Sequence, residues 1–209
     1  MFAEAVWWRC HCRNITGHLP AGGEQVKDTG YPHRIMDWNE MANDTVGGVS
    51  VVLAYCTLCG SGVLYETRVA GREMPFKFGS SGLLYRSNKL MYDRQTHSLW
   101  NHFTARPVIG PLVGSGIVLK TRAIAVARWS DWKRRHHDTL VLSLDTGYQR
   151  DYAPGRPYGT YFSNPGLMFP TRTTDTRLKP KDVVFVVRVG EGLRAWPVKS
   201  FGESRIFLR

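Results

Sequence analysis

Four cysteines fall in two close pairs, Cys10-x-Cys12 and Cys56-x-x-Cys59. A turn at the second spacing brings both sulfurs to one side, where they can converge on a metal ion or close a redox disulfide. A single pair is half of a tetrahedral zinc site. Cys10 and Cys12 would supply the other half if the N-terminal segment folded back, and non-cysteine ligands are the other way to complete it. Buried structural thiols at a strand end are the competing reading. Gly60 stands where a c-type haem attachment site needs histidine, which removes that assignment.

A second polar constellation is Asp93-Arg94-Gln95-Thr96, followed by His97, Trp100 and His102. Asp93 and Arg94 can form an ion pair, or Arg94 can turn its planar fork to an anionic ligand. Either histidine can serve as acid, base or ligand near neutral pH. The structural alternative has Asp93 and Thr96 organising a turn while Trp100 packs.

The third constellation runs from Asp145 to Tyr152 and holds Tyr148, Arg150 and Asp151. Asp145-Thr146-Gly147 is a good turn sequence, so Asp145 reads equally as turn former and acid. Arg150-Asp151 repeats the Asp93-Arg94 pairing in reverse order. Such pairs cross-link loops; alternatively Tyr148, Tyr152 and Tyr158 wall a polar pocket.

Short strands must position these groups. Val49–Tyr55 is an apolar run of strand length, expected as a central buried strand ending at the cysteines. Val63–Val69, Pro75–Phe78, Gly82–Tyr85, Leu90–Tyr92, Val108-Ile109, Ile117–Leu119 and Thr139–Leu144 follow as strand candidates between turn residues, and Val183–Val189 with Arg194–Val198 closes as a hairpin. Two short helices are expected, over 34–43 and 130–136, the second with basic residues in its last turn. Many short strands at this spacing predict a mostly-β domain, a compact barrel or sandwich. Residues 1–30 show no sustained period and read as an irregular arm, with 31–209 as one β-rich domain. The three polar segments each follow an apolar strand, so they are expected to converge at one end of the domain, where loops cluster.

Composition narrows the classes. No stretch reaches the roughly 18 apolar residues of a membrane-spanning helix, and the N-terminus lacks a basic start followed by an apolar run. A soluble, cytoplasmic protein is the expectation, with export open only if the true start lies upstream. The net charge of +11 is uneven: 10 Lys/Arg face 9 Asp/Glu over residues 1–104, and 18 face 8 over 105–209. The one dense cluster, Lys133 to His137, is short for a polyanion track and carries no nucleic-acid-binding signature, so a solvated basic face is expected. Phosphate-loop, dinucleotide, nucleophile-elbow and His-Glu-x-x-His motifs are missing from the sequence.

Several segments in order carry a family likeness. Tyr55-Cys56-Thr57-Leu58-Cys59-Gly60, Phe78 to Tyr85, Met91-Tyr92-Asp93-Arg94-Gln95-Thr96-His97-Ser98-Leu99-Trp100, Asp145 to Tyr152, Pro157-Tyr158-Gly159 and Ala195-Trp196-Pro197 together resemble a prokaryotic family known as domain of unknown function three-one-seven-nine. The resemblance spans about residues 31–200. Thr57 stands where that family usually has proline, and Trp38-Asn39-Glu40 stands where it often has Trp-His-Glu. The likeness implies a shared fold and site location and supplies no reaction. The sequence therefore leaves two function classes: a domain binding a small or anionic ligand or a metal ion, or working through its thiols, near Cys56, Cys59 and Asp93–Trp100; or a structural or interaction domain in which these motifs only hold loops.

Overall fold

The computed structural model describes residues 13–17, 28–189 and 192–201. In chain order the elements are β1 (Arg13–Gly17), β2 (Thr29–Pro32), α1 (His33–Asn39), β3 (Met41–Val46), β4 (Val49–Cys56), β5 (Ser61–Glu66), β6 (Phe78–Tyr85) and β7 (Asn88–Asp93). There follow β8 (Leu99–Asn101), β9 (Pro107–Ile109), β10 (Thr121–Arg122), β11 (Ile124–Arg128), α2 (Trp129–Arg135), β12 (Leu140–Val141), β13 (Val184–Val189) and β14 (Gly192–Pro197). Strands dominate, as expected. They form three four-stranded sheets, ordered β11-β1-β2-β12, β10-β5-β4-β3 and β6-β7-β8-β9, with β13 and β14 as a separate hairpin. Among the described residues no sheet closes on itself, so of the two expected architectures the sandwich is the one formed.

Strand β4 is the middle of the stack. Successive side chains on a strand point to opposite faces, and every residue from Val51 to Cys56 is buried. On one face Val51, Leu53 and Tyr55 join Tyr31, Met36 and Leu64, with Ile124 and Val126 packed alongside. On the other, Val52 and Ala54 join Tyr65, Phe76, Phe78, Met91 and Trp100. A run without polar alternation is what such two-sided burial demands, at roughly 1.5–3 kcal/mol for each large side chain removed from water. Phe76 and Phe78 meet the Trp100 ring edge-on at 5.2 and 5.4 Å. The middle sheet is further tied to β6 by Asn43, whose side-chain amide stands in for a backbone peptide. It donates to the Phe78 carbonyl and accepts from the Phe78 N–H, both at 2.8 Å.

Several boundaries differ from the sequence expectation. The first helix ends at Asn39 and not at residue 43, because Glu40 takes a left-handed conformation (φ 57°) and its N–H returns to the Met36 carbonyl. Residues from Met41 onward are then strand β3, turned into β4 by Gly47-Gly48, whose positive φ values of 55° and 75° are costly for other residues. Ile117–Leu119 is not a strand, although Leu119 is buried, and β10 and β11 lie beyond it. Thr139–Leu144 supplies only the two-residue β12, parallel to β2. Within the segment read as an irregular arm, Arg13–Gly17 is a strand paired with β2 and β11. Cys10 and Cys12 lie outside the described residues. No helix among the described residues is long and apolar enough to cross a membrane.

Candidate functional site

The Cys-x-x-Cys motif is the hairpin connection between β4 and β5. Cys56 is the last residue of β4 and pairs with Ser61, the first of β5. The four residues between them turn with the Gly60 N–H on the Thr57 carbonyl at 3.1 Å, and Gly60 itself has φ 62°. The turn brings the two sulfurs to 2.7 Å, with Cys56 buried and Cys59 exposed. A disulfide bond needs about 2.05 Å, so little movement separates these free thiols from a covalent pair.

Two arrangements of the protons follow. With both thiols protonated, Cys56 S–H reaches Cys59 while Cys59 S–H points to the Ser87 carbonyl, 3.7 Å away. When one proton leaves, the charge settles on Cys56. Its thiol lies below the ordinary range because Cys59 donates a hydrogen bond to it, against the opposing effect of burial; the backbone N–H groups of Cys59 and Lys89 and the Lys89 ammonium add to the lowering. Cys59 is correspondingly pushed up, first by that same hydrogen bond and then by burial.

Lys89 carries the unusual charge of the site. It lies on β7 in phase with Met91, so its side chain enters the core-facing side, and only 4% of the residue is exposed. Its Nζ reaches Glu40 Oε2 at 2.8 Å, the Tyr55 carbonyl at 3.2 Å and the Glu40 carbonyl at 3.4 Å. Burial lowers its pKa, while Glu40 and the two cysteines draw it back. Glu40 also accepts from Ser80 Oγ at 2.5 Å. The Tyr158 phenol is pushed up to about 12, mainly by burial and next by the charges of Glu40 and Cys56. The left-handed turn at Glu40 that ends α1 is therefore what delivers a carboxylate to this cluster.

Beneath Lys89 lies His102, fully buried. Its Nε2 is 3.0 Å from the Ala54 carbonyl and its Nδ1 is 2.8 Å from the Asn88 amide. Burial depresses its pKa to about 4, so the ring is neutral near pH 7. Asn88 turns its Oδ1 to Nδ1, so a neutral ring with one proton donates either from Nδ1 to Asn88 or from Nε2 to the Ala54 carbonyl.

The other candidates from the sequence fall into separate places. Asp93 is fully buried and accepts from the Thr96 N–H at 2.5 Å, the Thr96 hydroxyl at 2.8 Å and Trp100 Nε1 at 2.9 Å. That set closes the β7–β8 turn and anchors Trp100 in the core. Arg94 does not pair with Asp93; it is exposed, 5.8 Å from the Tyr92 ring centroid, and His97 (φ 59°) stacks on the same ring. Asn88 and Asp93 are the two ends of β7, roughly 16 Å apart at strand rise. The thiols adjoin the first end and the Asp93 turn the second, so of that constellation only His102 reaches the cysteine side.

The Asp145–Tyr152 loop docks on α1. Trp38 Nε1 donates to the Asp151 carbonyl at 2.8 Å, and Arg150 covers the Trp38 ring at 5.3 Å. Tyr152 hydroxyl contacts Thr146 at 2.6 Å and Asn39 at 3.4 Å, one residue from Glu40. The Asp151 carboxylate pairs with Arg156 at 3.2 Å, while Asp145 and Tyr148 are exposed and outside the cluster. The chain then continues over the cysteine turn: Tyr161 hydroxyl reaches the Leu58 carbonyl at 3.4 Å, and the Pro170 carbonyl accepts from Ser87 Oγ at 3.0 Å. Cys59, Leu58, Ser87, Asn88 and Tyr161 line a cavity of about 1760 Å³. Among the described residues no third His, Cys, Asp or Glu joins the thiols in a metal-binding group.

A family model described as "Protein of unknown function (DUF3179)" matches residues 24–207. The chain belongs to the DUF3179 family. No curated protein and no solved structure matches it. The family resemblance read from the sequence is thus established, while its description assigns no reaction. In this DUF3179 chain Thr57, in the position usually held by proline, is fully buried with its hydroxyl unbonded. Asn39, in the position often held by histidine, donates to the Tyr152 hydroxyl and, within α1, to the Ile35 carbonyl.

Sequence reading missed Lys89, Glu40, Ser80 and Asn88 as site residues. Lys89 had a signal: a cation alternating in phase with Met91 on an otherwise core-facing strand side. Glu40 had another, as the glutamate of the Trp-x-Glu segment. Tyr158 was named only as a pocket wall.

Proposed function

We propose that Cys56 and Cys59 act as a reversible dithiol–disulfide couple facing the cavity. The observation that supports this best is their 2.7 Å separation at a turn where Cys59 is accessible and Cys56 is the favoured thiolate. With a disulfide R–S–S–R′ in the cavity, Cys56 takes the proton of Cys59, and the Cys59 sulfur attacks one substrate sulfur. A mixed disulfide forms and the first thiolate leaves. Cys56 then gives up that proton and attacks Cys59, closing the protein disulfide and releasing the second thiolate. The protein loses two electrons and the one proton it held, and the substrate gains two electrons and leaves as two thiolates, which become thiols by taking that proton and one from solvent. Lys89 stabilises the thiolate on Cys56 in the reduced state.

The test is equilibration with mixtures of reduced and oxidised dithiothreitol, followed by alkylation and mass measurement. The expected result is a reversible loss of two hydrogens, abolished by Cys56→Ser or Cys59→Ser. A pair that stays reduced under excess oxidant, in protein that elemental analysis finds free of metal, would leave the motif a structural turn.

A further inference from the structure

The cavity beside Cys59 has an unbalanced charged wall. Arg34, Arg86, Arg106, Arg122 and Lys181 line it, against Asp37 and Asp182. Two of the cations are engaged: Arg122 pairs with Glu66, and Lys181 donates to the Tyr161 and Asn164 carbonyls. Asp182 is held by Lys199 at 2.7 Å. Among the described residues, Arg34, Arg86 and Arg106 have no carboxylate within ion-pair distance.

Arg86 adjoins the residue that contacts the Cys59 thiol. It sits at the tip of the β6–β7 hairpin in a left-handed conformation (φ 50°), directly before Ser87, whose carbonyl contacts Cys59 Sγ. Its guanidinium lies 5.5 Å over the Tyr85 ring. An arginine packed by an aromatic face keeps its planar fork for carboxylate or phosphate, and the stacking limits the rotamer freedom lost on binding. Arg34, on α1, is half-buried on the same cavity. The remaining wall includes Leu58, Phe103 and Phe162, which suit a hydrocarbon body between charged ends.

We infer that the cavity takes a small disulfide or thiol bearing carboxylate or phosphate groups, with Arg86 and Arg34 holding the anionic ends so that a sulfur meets Cys59. This rests on the redox reading of the pair for its chemistry, while the anion site stands on the arginines. The occupant is a low-molecular-weight compound, since its recognition comes from point contacts with planar cations inside a concave wall.

The experiment compares the oxidation rate of the reduced full-length protein by dithiobis-nitrobenzoate, whose halves each carry a carboxylate, with that by cystamine, whose halves each carry an ammonium. The intrinsic difference between the reagents is removed by dividing by their rates with an unstructured Cys-x-x-Cys peptide. The normalised preference for the anionic reagent is expected to be ~10-fold or more at low ionic strength and to shrink with salt. Arg86→Asn, which tolerates the left-handed backbone, and Arg34→Gln should each reduce it several-fold. A normalised preference for cystamine, or no effect of either variant, overturns the proposal. Calorimetry with S-methylglutathione, an anionic thioether that cannot exchange, separates the two readings. Binding to the Cys56→Ser/Cys59→Ser protein that Arg86→Asn weakens keeps the anion site even if the thiols prove redox-inert. No binding there sinks the anion site even if the thiols oxidise.

Discussion

The Lys89 ammonium lies 2.8 Å from Glu40 Oε2, joining the second residue of β7 to the residue that ends α1 across 49 positions of sequence. This ion pair is the electrostatic centre of the site, because it lets a cation remain buried beside a thiol. Removing the cation leaves Glu40 without its partner. Glu40 keeps 24% of its side chain exposed, so Lys89→Met is expected to cost about 2–3 kcal/mol, toward or below the low end for a broken buried pair. Lys89→Met/Glu40→Gln should recover part of that loss, as read from urea midpoints.

Lys89 also lowers the pKa of Cys56 by its charge. Lys89→Met should therefore move the thiolate absorbance titration to higher pH, since it removes an opposite charge from beside the thiolate. No movement would place the stabilisation of the thiolate entirely in Cys59 and the backbone N–H groups.

His102 predicts an acid-side loss of stability. The folded ring titrates near 4 while an unfolded histidine titrates near 6.5, so below pH 6.5 the unfolded chain binds a proton that the native chain refuses. Stability is therefore expected to fall as pH drops from 6.5, with the full penalty reached below about 4. At 1.36 kcal/mol per pH unit the loss from this one ring is roughly 3 kcal/mol. His102→Gln should flatten that slope in urea denaturation series, whatever it costs at pH 7.

Asp93 should act on the fold alone. It holds Thr96 and Trp100 through three hydrogen bonds, so Asp93→Ala is expected to cost about 3 kcal/mol or more, since bonds to a charged group are the stronger kind. The dithiol–disulfide equilibrium of Cys56 and Cys59 should stay within twofold of wild type, because the turn lies at the far end of β7. A large shift in that equilibrium would show the two ends of the strand to be coupled.

Thr57→Val should stabilise the protein by about 1 kcal/mol, since it replaces a buried, unbonded hydroxyl with a methyl group of the same shape. A higher thermal midpoint with unchanged thiol chemistry is the expected reading.

The parts of the fold set by local pattern were legible. The Val49–Tyr55 run, the turn residues and the closing hairpin each announce themselves within a few residues. The first helix was read too long because Met41 fits both a 3.6-residue and a two-residue period, and only the reversal at Glu40 decides between them. The candidate site was legible where it is local, at Cys56 and Cys59. It was not legible where it depends on partners far away in sequence: the phase of Lys89 with Met91 marks an inward cation, but nothing near it in the chain names Glu40 or Tyr55 as its partners. Asp93 and Arg94 illustrate the opposite error, since neighbours in sequence on a strand or turn point different ways.

Strand β4 belongs to two cores at once, and this limits how the protein can vary. Sliding it by one residue would exchange Val51, Leu53 and Tyr55 for Val52, Ala54 and Cys56 in both cores together, with different volumes on each side. A residue inserted between Gly48 and the thiols would thus need simultaneous repacking of two interiors, whereas the exposed stretch 171–177 can lengthen or shorten at small cost. Evolutionary or engineered change in reactivity is accordingly channelled into the cavity rim, and the sulfur positions act as the fixed datum around which it occurs.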